Sequence, residues 1–202
     1  VYLVLAEGER VAYSTNRGIE LGTSLTNGPH RESNLGKVAL AATNVEIGET
    51  VFSDFEKYLP ALGRPTAFMA SPVFGPNDRI GTVIFEISVD TINDIMTSHQ
   101  SWQSVGLGES GETYLVGEDL LLRNQSRFLI EDRVQYLKMI REIGTSDDIV
   151  RQIETQGNSI GLQQVDTIGT NAALAGETNT LIFPDYRGVE VLSAFGPLNI
   201  SG

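Results

Sequence analysis

The sequence predicts an α+β protein of two tandem modules, each a five-stranded antiparallel sheet flanked by helices. Three observations predict it. First, the chain repeats itself: Tyr2-Leu3-Val4 opens an apolar run that recurs as Tyr114-Leu115-Val116, and Phe52-x-Asp54-Phe55 recurs as Phe183-x-Asp185-Tyr186. The latter pair is followed each time by a turn and a strand-like stretch ending in Pro, at Pro72 and Pro197. Second, short β-rich runs bounded by Gly, Asn and Asp turns alternate with stretches of helical spacing. Third, a chain of 202 residues can hold two small modules, each large enough to bury a core.

The first module occupies residues 1–89. Val1 to Ala6 and Arg10 to Thr15 are strands joined by the hairpin turn Glu7-Gly8-Glu9. Gly18 to Pro29, rich in Gly, Thr, Ser and Asn, is a loop. Asn34 to Thr43 places Leu35, Val38, Ala39 and Ala42 at helical intervals behind an Asn34 cap, giving a helix across the sheet. Glu49 to Phe55, Pro65 to Phe74 and Arg79 to Ser88 supply three further strands, with turns at Leu62-Gly63-Arg64 and Gly75-Pro76-Asn77-Asp78. Two strands, a crossing helix and three consecutive strands make a five-stranded sheet of the PAS-like kind.

Asp90 caps a linking helix over 90–105, with Ile92, Ile95, Met96 and Trp102 at roughly helical spacing. The second module runs over 106–202. Strands are expected at Glu112 to Gly117 and Leu120 to Arg127, then a charged helix from Asp132 to Arg141. A helix capped by Ser146, with Asp147 and Asp148 in its first turn and Gly157 as its stop, follows. Ala172 to Ala175 is a short helix, and Thr178 to Asp185 and Val189 to Leu198 are strands. By analogy with the first module, a fifth strand would fall beyond Gly202.

Composition excludes several functions. Apolar content of 41% and charged content of 20% are those of a globular protein. The net charge of −12 repels nucleic acid and anionic lipid. With no cysteine there is no disulfide, thiolate nucleophile or sulfur-ligated zinc, and His30 and His99 stand too far apart in sequence to suggest a histidine metal site. No cofactor or metal is expected. Gly106-Leu-Gly108-Glu-Ser-Gly111 fits the dinucleotide G-x-G-x-x-G pattern, but it leads into a strand instead of opening a helix, so it is an entry turn. P-loop, G-x-S-x-G, H-E-x-x-H and EF-hand signatures are all lacking, and scattered carboxylates alone do not make a glycosidase. Asn124-Gln-Ser126 matches the glycosylation pattern within a short strand. The segment is not expected to be an enzyme.

Asp54 is the leading site candidate. A carboxylate between Phe52 and Phe55 in a β-rich run needs a cation or several N–H donors to offset its desolvation. Turn amides or Arg64 would meet that need, and so would the ammonium of a ligand. Tyr58, four residues on, offers a hydroxyl and an aromatic face either to the same ligand or to the core. Tyr13, Phe68 and Ser71 are placed either to line that cavity or to pack the sheet.

Several segments resemble the double Cache sensor family: Gly63-Arg-Pro-Thr-Ala-Phe-Met-Ala-Ser-Pro-Val-Phe74, Ile80-Gly-Thr-Val-Ile-Phe85, Gly106 to Gly117, Arg123-Asn-Gln-Ser-Arg-Phe128 and Tyr186 to Pro197. The resemblance covers nearly the whole chain, with Gly106 to Phe128 its most specific block. It implies the extracytoplasmic part of an inner-membrane receptor, with membrane-distal and membrane-proximal PAS-like modules normally hung on a long N-terminal helix. A small polar ligand (an amine, amino acid or carboxylate) would bind the distal module, and the full-length receptor would be a homodimer. The outputs would be those of histidine kinases, chemoreceptors or diguanylate cyclases. The aromatic and arginine cluster of the amino-acid-sensing subset has no counterpart before Asp54. A rival expectation is an interaction module that senses a periplasmic binding protein or mediates dimerisation without a small ligand.

Overall fold

A computed structural model describes residues 1–198, which form two compact units, Val1–Val89 and the residues from Asp90 onward. Residues 199–202, the end of the expected 106–202 module, lie outside the described residues.

The first unit is a five-stranded antiparallel sheet with a helix on one face. Its strands are β1 (Tyr2–Leu5), β2 (Arg10–Ser14), β3 (Val51–Tyr58), β4 (Arg64–Phe74) and β5 (Arg79–Ser88), in the spatial order β2-β1-β5-β4-β3. The order is that of a PAS-like sheet, as the sequence predicts. Alternation along the strands sends Tyr2 and Val4 of β1, Phe68 and Ala70 of β4 and Ile84 of β5 to one side. There they meet Leu35, Val38 and Ala39 of α1 (Asn34–Ala41), which packs against β3 and β4.

The start of α1 differs from expectation. Ser33, not Asn34, is the N-cap, its hydroxyl accepting from the Gly36 N–H. Asn34 is buried one position inside, where its amide donates to the Thr66 carbonyl of β4 and so fastens helix to sheet. The tight β1–β2 turn follows expectation, with Gly8 at φ 71°.

The second unit departs from the predicted five-stranded sheet. Its described residues hold one two-stranded sheet, β6 (Asn179–Pro184) paired with β7 (Glu190–Phe195), and five helices: α2 (Val89–Met96), α3 (Arg127–Glu131), α4 (Arg133–Glu142), α5 (Asp147–Gln156) and α6 (Ile168–Leu174). The expected strands Glu112 to Gly117 and Leu120 to Arg127 meet only in the bridge Val116↔Leu122. Side chains have displaced the ladder. The Leu115 N–H donates to the Asn124 carboxamide at 2.7 Å, Leu120 adopts φ 62°, and Ser126 caps α3 and turns the chain into a helix. The helix expected over 90–105 ends at Met96, because Ser98, His99 and Gln100 all adopt left-handed backbone. Leu122, Tyr136, Ile140, Val150, Ile153 and Val165 form this unit's core.

Phe68 is fully buried and stands edge-on to both Tyr2 (6.0 Å) and Tyr58 (5.0 Å). Phe68→Ala should therefore lower unfolding stability by about 3–5 kcal/mol. Chemical denaturation checks this; a cost under about 1 kcal/mol would show that the ring is not a core element.

Candidate functional site

One end of the first sheet gathers an acidic and phenolic cluster. Tyr2 opens β1, Ser14 closes β2, Tyr58 closes β3, and Glu86 stands near the end of β5. Because Tyr2 pairs with Ile84, Glu86 is its diagonal neighbour on the same face, and the Tyr2 hydroxyl donates to Glu86 Oε2 at 2.9 Å. Asn16 donates weakly to the same oxygen at 3.5 Å. Glu20 reaches the cluster from the loop after β2, and Ser14 Oγ donates to its Oε1 at 3.3 Å.

The loop inverts the usual burial order. Ile19 and Leu21 are exposed, while Glu20 between them is only 2% exposed. Backbone bonds impose this: Leu21 N–H to Gly18 O, Thr23 N–H to Glu20 O, and the exchange of Gly22 and Thr23 with Val11 of β2. The carboxylate folds back over Gly18, where a Cβ would collide with it.

Two buried oxygens here lack a hydrogen-bond partner, Glu20 Oε2 and the hydroxyl of Tyr58, itself 2% exposed. Burial, reinforced by Tyr58, Glu86 and Glu20, pushes the Tyr2 hydroxyl far up; burial and then Glu20 push Tyr58 up. Both phenols are therefore neutral at pH 7. Elsewhere in the unit carboxylates find cations: buried Glu9 pairs with Arg79, which also donates to Thr82 Oγ1, and Glu56 pairs with Lys37. Glu20 and Glu86 make no ion pair among the described residues.

The structure separates the residues predicted for the site. Tyr58 and Phe68 lie together beneath the cluster. Asp54 sits on the exposed side of β3 at a bulge between Ser53 and Glu56, its Oδ1 accepting from the Phe55 N–H at 2.6 Å. The bulge re-aims the residue, so it escapes the desolvation on which its candidacy rested. Tyr13 is 48% exposed, and Ser71 Oγ donates to the Glu49 carbonyl at 2.8 Å. Glu20 and Glu86 are the acids that sequence reasoning missed. For Glu86 the signal was present, a lone charge among Val83, Ile84, Phe85 and Ile87.

The polar network of the second unit is of the opposite kind. Glu112 accepts from the Arg127 N–H at 2.7 Å and the Tyr186 hydroxyl at 2.8 Å, and Ser126 Oγ lies 2.7 Å from that hydroxyl. Asp185 is held by its neighbour Arg187, whose guanidinium lies 3.7 Å over the Phe128 ring. Arg127 Nη1 donates to the Gly108 and Gly111 carbonyls, so the Gly106 to Gly111 stretch is tied to the start of α3, although the strand it was expected to lead into does not form. Burial pushes the Glu112 carboxyl up, with bonds from Tyr186 and Arg127 only partly opposing it, and pushes Tyr114 up to about 12. A shallow hollow beside Asp148, Arg151 and Gln152 lies along one face of α5 and gathers no buried polar group. No group of three potential metal-ligating side chains occurs among the described residues, and no helix among them is long and apolar enough to cross a membrane.

No protein-family model matches the chain, and no curated protein matches it. Among solved structures it is similar to the ligand-binding domain of the Pseudomonas fluorescens chemoreceptor CtaA in complex with L-serine, at 15% identity and a TM-score of 0.40, over 66% of this chain and 48% of that one. It is also similar to the same domain in complex with L-leucine, at 14% identity and a TM-score of 0.39, over 61% of this chain and 44% of that one. The chain thus spans less than half the length of those domains.

Two expectations follow from the hydrogen bonding. Tyr58→Phe removes a buried hydroxyl that makes no hydrogen bond of good geometry, its one polar interaction being with the Tyr2 hydroxyl already bonded to Glu86, so it should change stability by less than about 1 kcal/mol. Tyr136→Phe removes the donor to Gln163 Oε1 and should cost about 1–3 kcal/mol. Denaturant midpoints compare the two, and equal losses would contradict the contrast. Glu112 holds its proton more tightly folded than unfolded, so between the two pKa values the native state binds more protons and stability falls as pH rises. Relative to Glu112→Gln, the native protein should gain thermal stability as pH is lowered from about 7 toward about 4.5. A flat difference would place the carboxylate in a better-solvated setting than its partners imply.

Proposed function

We propose that this chain is the ligand-sensing part of an extracytoplasmic receptor ectodomain of the double Cache kind, binding a small polar molecule in its first unit. The parent chain is then anchored in the inner membrane as a homodimer, with a histidine kinase, chemoreceptor or diguanylate cyclase output, and this segment binds without turning over its ligand. Carrying the proposal is the burial of Glu20, with an unanswered oxygen, between two exposed apolar neighbours. Burying a carboxylate with one oxygen unsatisfied and the other held by a single long hydrogen bond is costly, and a fold retains such a cost where a ligand repays it. The motif resemblance at Gly63 to Phe85 and Gly106 to Phe128 and the PAS-like strand order support the family assignment.

In this reading the loop from Gly18 to Pro29 roofs the site. A ligand joining Glu20 to the β1 and β5 groups favours the closed roof, and shifts the equilibrium only as far as its affinities for the two states differ. Ligand contact belongs to Tyr58 and the two glutamates, with Asp54 and Tyr13 outside the cluster. One observation favours the rival reading, an interaction module: Ile182 and Leu192 of the β6–β7 hairpin and Leu198 beyond it are largely exposed, as at partner surfaces.

Thermal denaturation against amines, amino acids, carboxylates and sugars tests the proposal. A ligand at about a hundredfold its Kd adds roughly 2.7 kcal/mol to stability. Glu20→Gln should raise the ligand-free midpoint, because it removes an unpaired buried charge, and should abolish the ligand's shift. If no compound in any class moves the midpoint, small-molecule sensing gives way to the protein-partner reading.

A further inference from the structure

We infer that the ligand is a compact organic ammonium without a carboxylate, and that Glu20, Glu86 and the hydroxyls of Tyr2 and Tyr58 are its recognition set. The inference rests on the sensing role proposed above and concerns only the class of ligand. It follows from the cluster's charge and donor inventory.

Two carboxylates meet here and no basic side chain answers either. The Tyr2 hydroxyl donates its one hydrogen bond to Glu86, leaving its own lone pairs as acceptors. The Tyr58 hydroxyl and Glu20 Oε2 are buried and unpartnered. What the set lacks is a multiple hydrogen-bond donor bearing positive charge, and an R–NH3⁺ group supplies three donors and one charge. The neutral phenols add two electron-rich rings, which attract a cation and repel an anion. Among the described residues no buried cation stands at the loop or at these strand ends, and Arg64, which opens β4 opposite Tyr58, is exposed. The nearest basic residue in sequence, Arg17, is exposed. An amino acid entering ammonium first would bring its carboxylate within reach of Glu20 and Glu86 and be repelled.

The closing experiment is calorimetric titration of the protein with three probes on one carbon skeleton, propylammonium chloride, alanine and sodium propionate, with potassium chloride as a fourth arm. The expected result is binding of propylammonium alone, weakened about 10–100-fold by Glu20→Gln and again by Glu86→Gln, since each substitution removes one charge-assisted bond. Thermal midpoints of both variants at or above that of the parent show that they are folded. Alanine bound as well as propylammonium, with Arg17→Ala weakening it, overturns the ligand class and leaves the sensing role standing. Propionate binding overturns the class in the same way, and potassium giving the same response assigns the site to an inorganic cation. Propylammonium binding untouched by either variant, or unfolding of Glu20→Gln, removes these residues from the site. Silence from all four probes overturns the ligand class; sensing itself fails only if the wider screen is silent too.

Discussion

Pairing of β1 with β5 is the constraint on which the first unit depends. It joins the first strand of the chain to the last strand of the sheet, Tyr2 against Ile84 and Leu5 against Gly81, across nearly the whole unit. A glycine is needed at the second contact, because a Cβ at Gly81 would collide with the Val4 carbonyl. The close approach sets β1 beside the central strand β5, sends Tyr2 and Val4 into the core, and brings the Tyr2 hydroxyl to Glu86. Core and candidate site are thus two consequences of one long-range pairing, and neither can form from local sequence alone.

The two units handle buried polar groups in contrasting ways. Around Glu112, Ser126, Tyr186 and Asp185 the carboxylates find hydroxyl, amide or guanidinium donors, so the network fixes the packing of helices and hairpin. Around Glu20 the donors run short: one long bond from Ser14 meets one oxygen, and the other has none. Buried polar groups in folded proteins are almost always satisfied, so the exception marks where stability is given up for something else. Tyr58 shows the same economy, since its ring packs edge-on to Phe68 while its buried hydroxyl finds no hydrogen bond of good geometry.

Much of the architecture was legible in the sequence because its signals are local. Ser146 capping α5 with Asp147 and Asp148 behind it, the Gly157 stop in left-handed backbone, the Gly8 turn and the Arg79 to Ser88 strand are properties of a few adjacent residues. The failures lie where distant side chains compete with the backbone. Asn34 looked like a cap, yet its amide serves a β4 carbonyl, and Asn124 replaces a strand partner for Leu115. The repeat of Phe-x-Asp-aromatic suggested equivalent positions, but Asp54 lies on a bulged strand and Asp185 closes the β6–β7 turn.

The candidate site shows the same division. By itself the sequence determined that the first module would be an antiparallel sheet crossed by a helix, because period-two alternation and turn residues encode which face of a strand is buried. It also placed Tyr58 and Phe68 together. The acid they would face was decided only by tertiary structure. Alternation would have buried Asp54 had β3 stayed regular, and hydropathy would have exposed Glu20 had its loop followed its apolar neighbours. A bulge turned the first carboxylate outward, and hydrogen bonds between the loop and β2 turned the second inward. Both outcomes depend on backbone partners far away in sequence, and no local pattern records them.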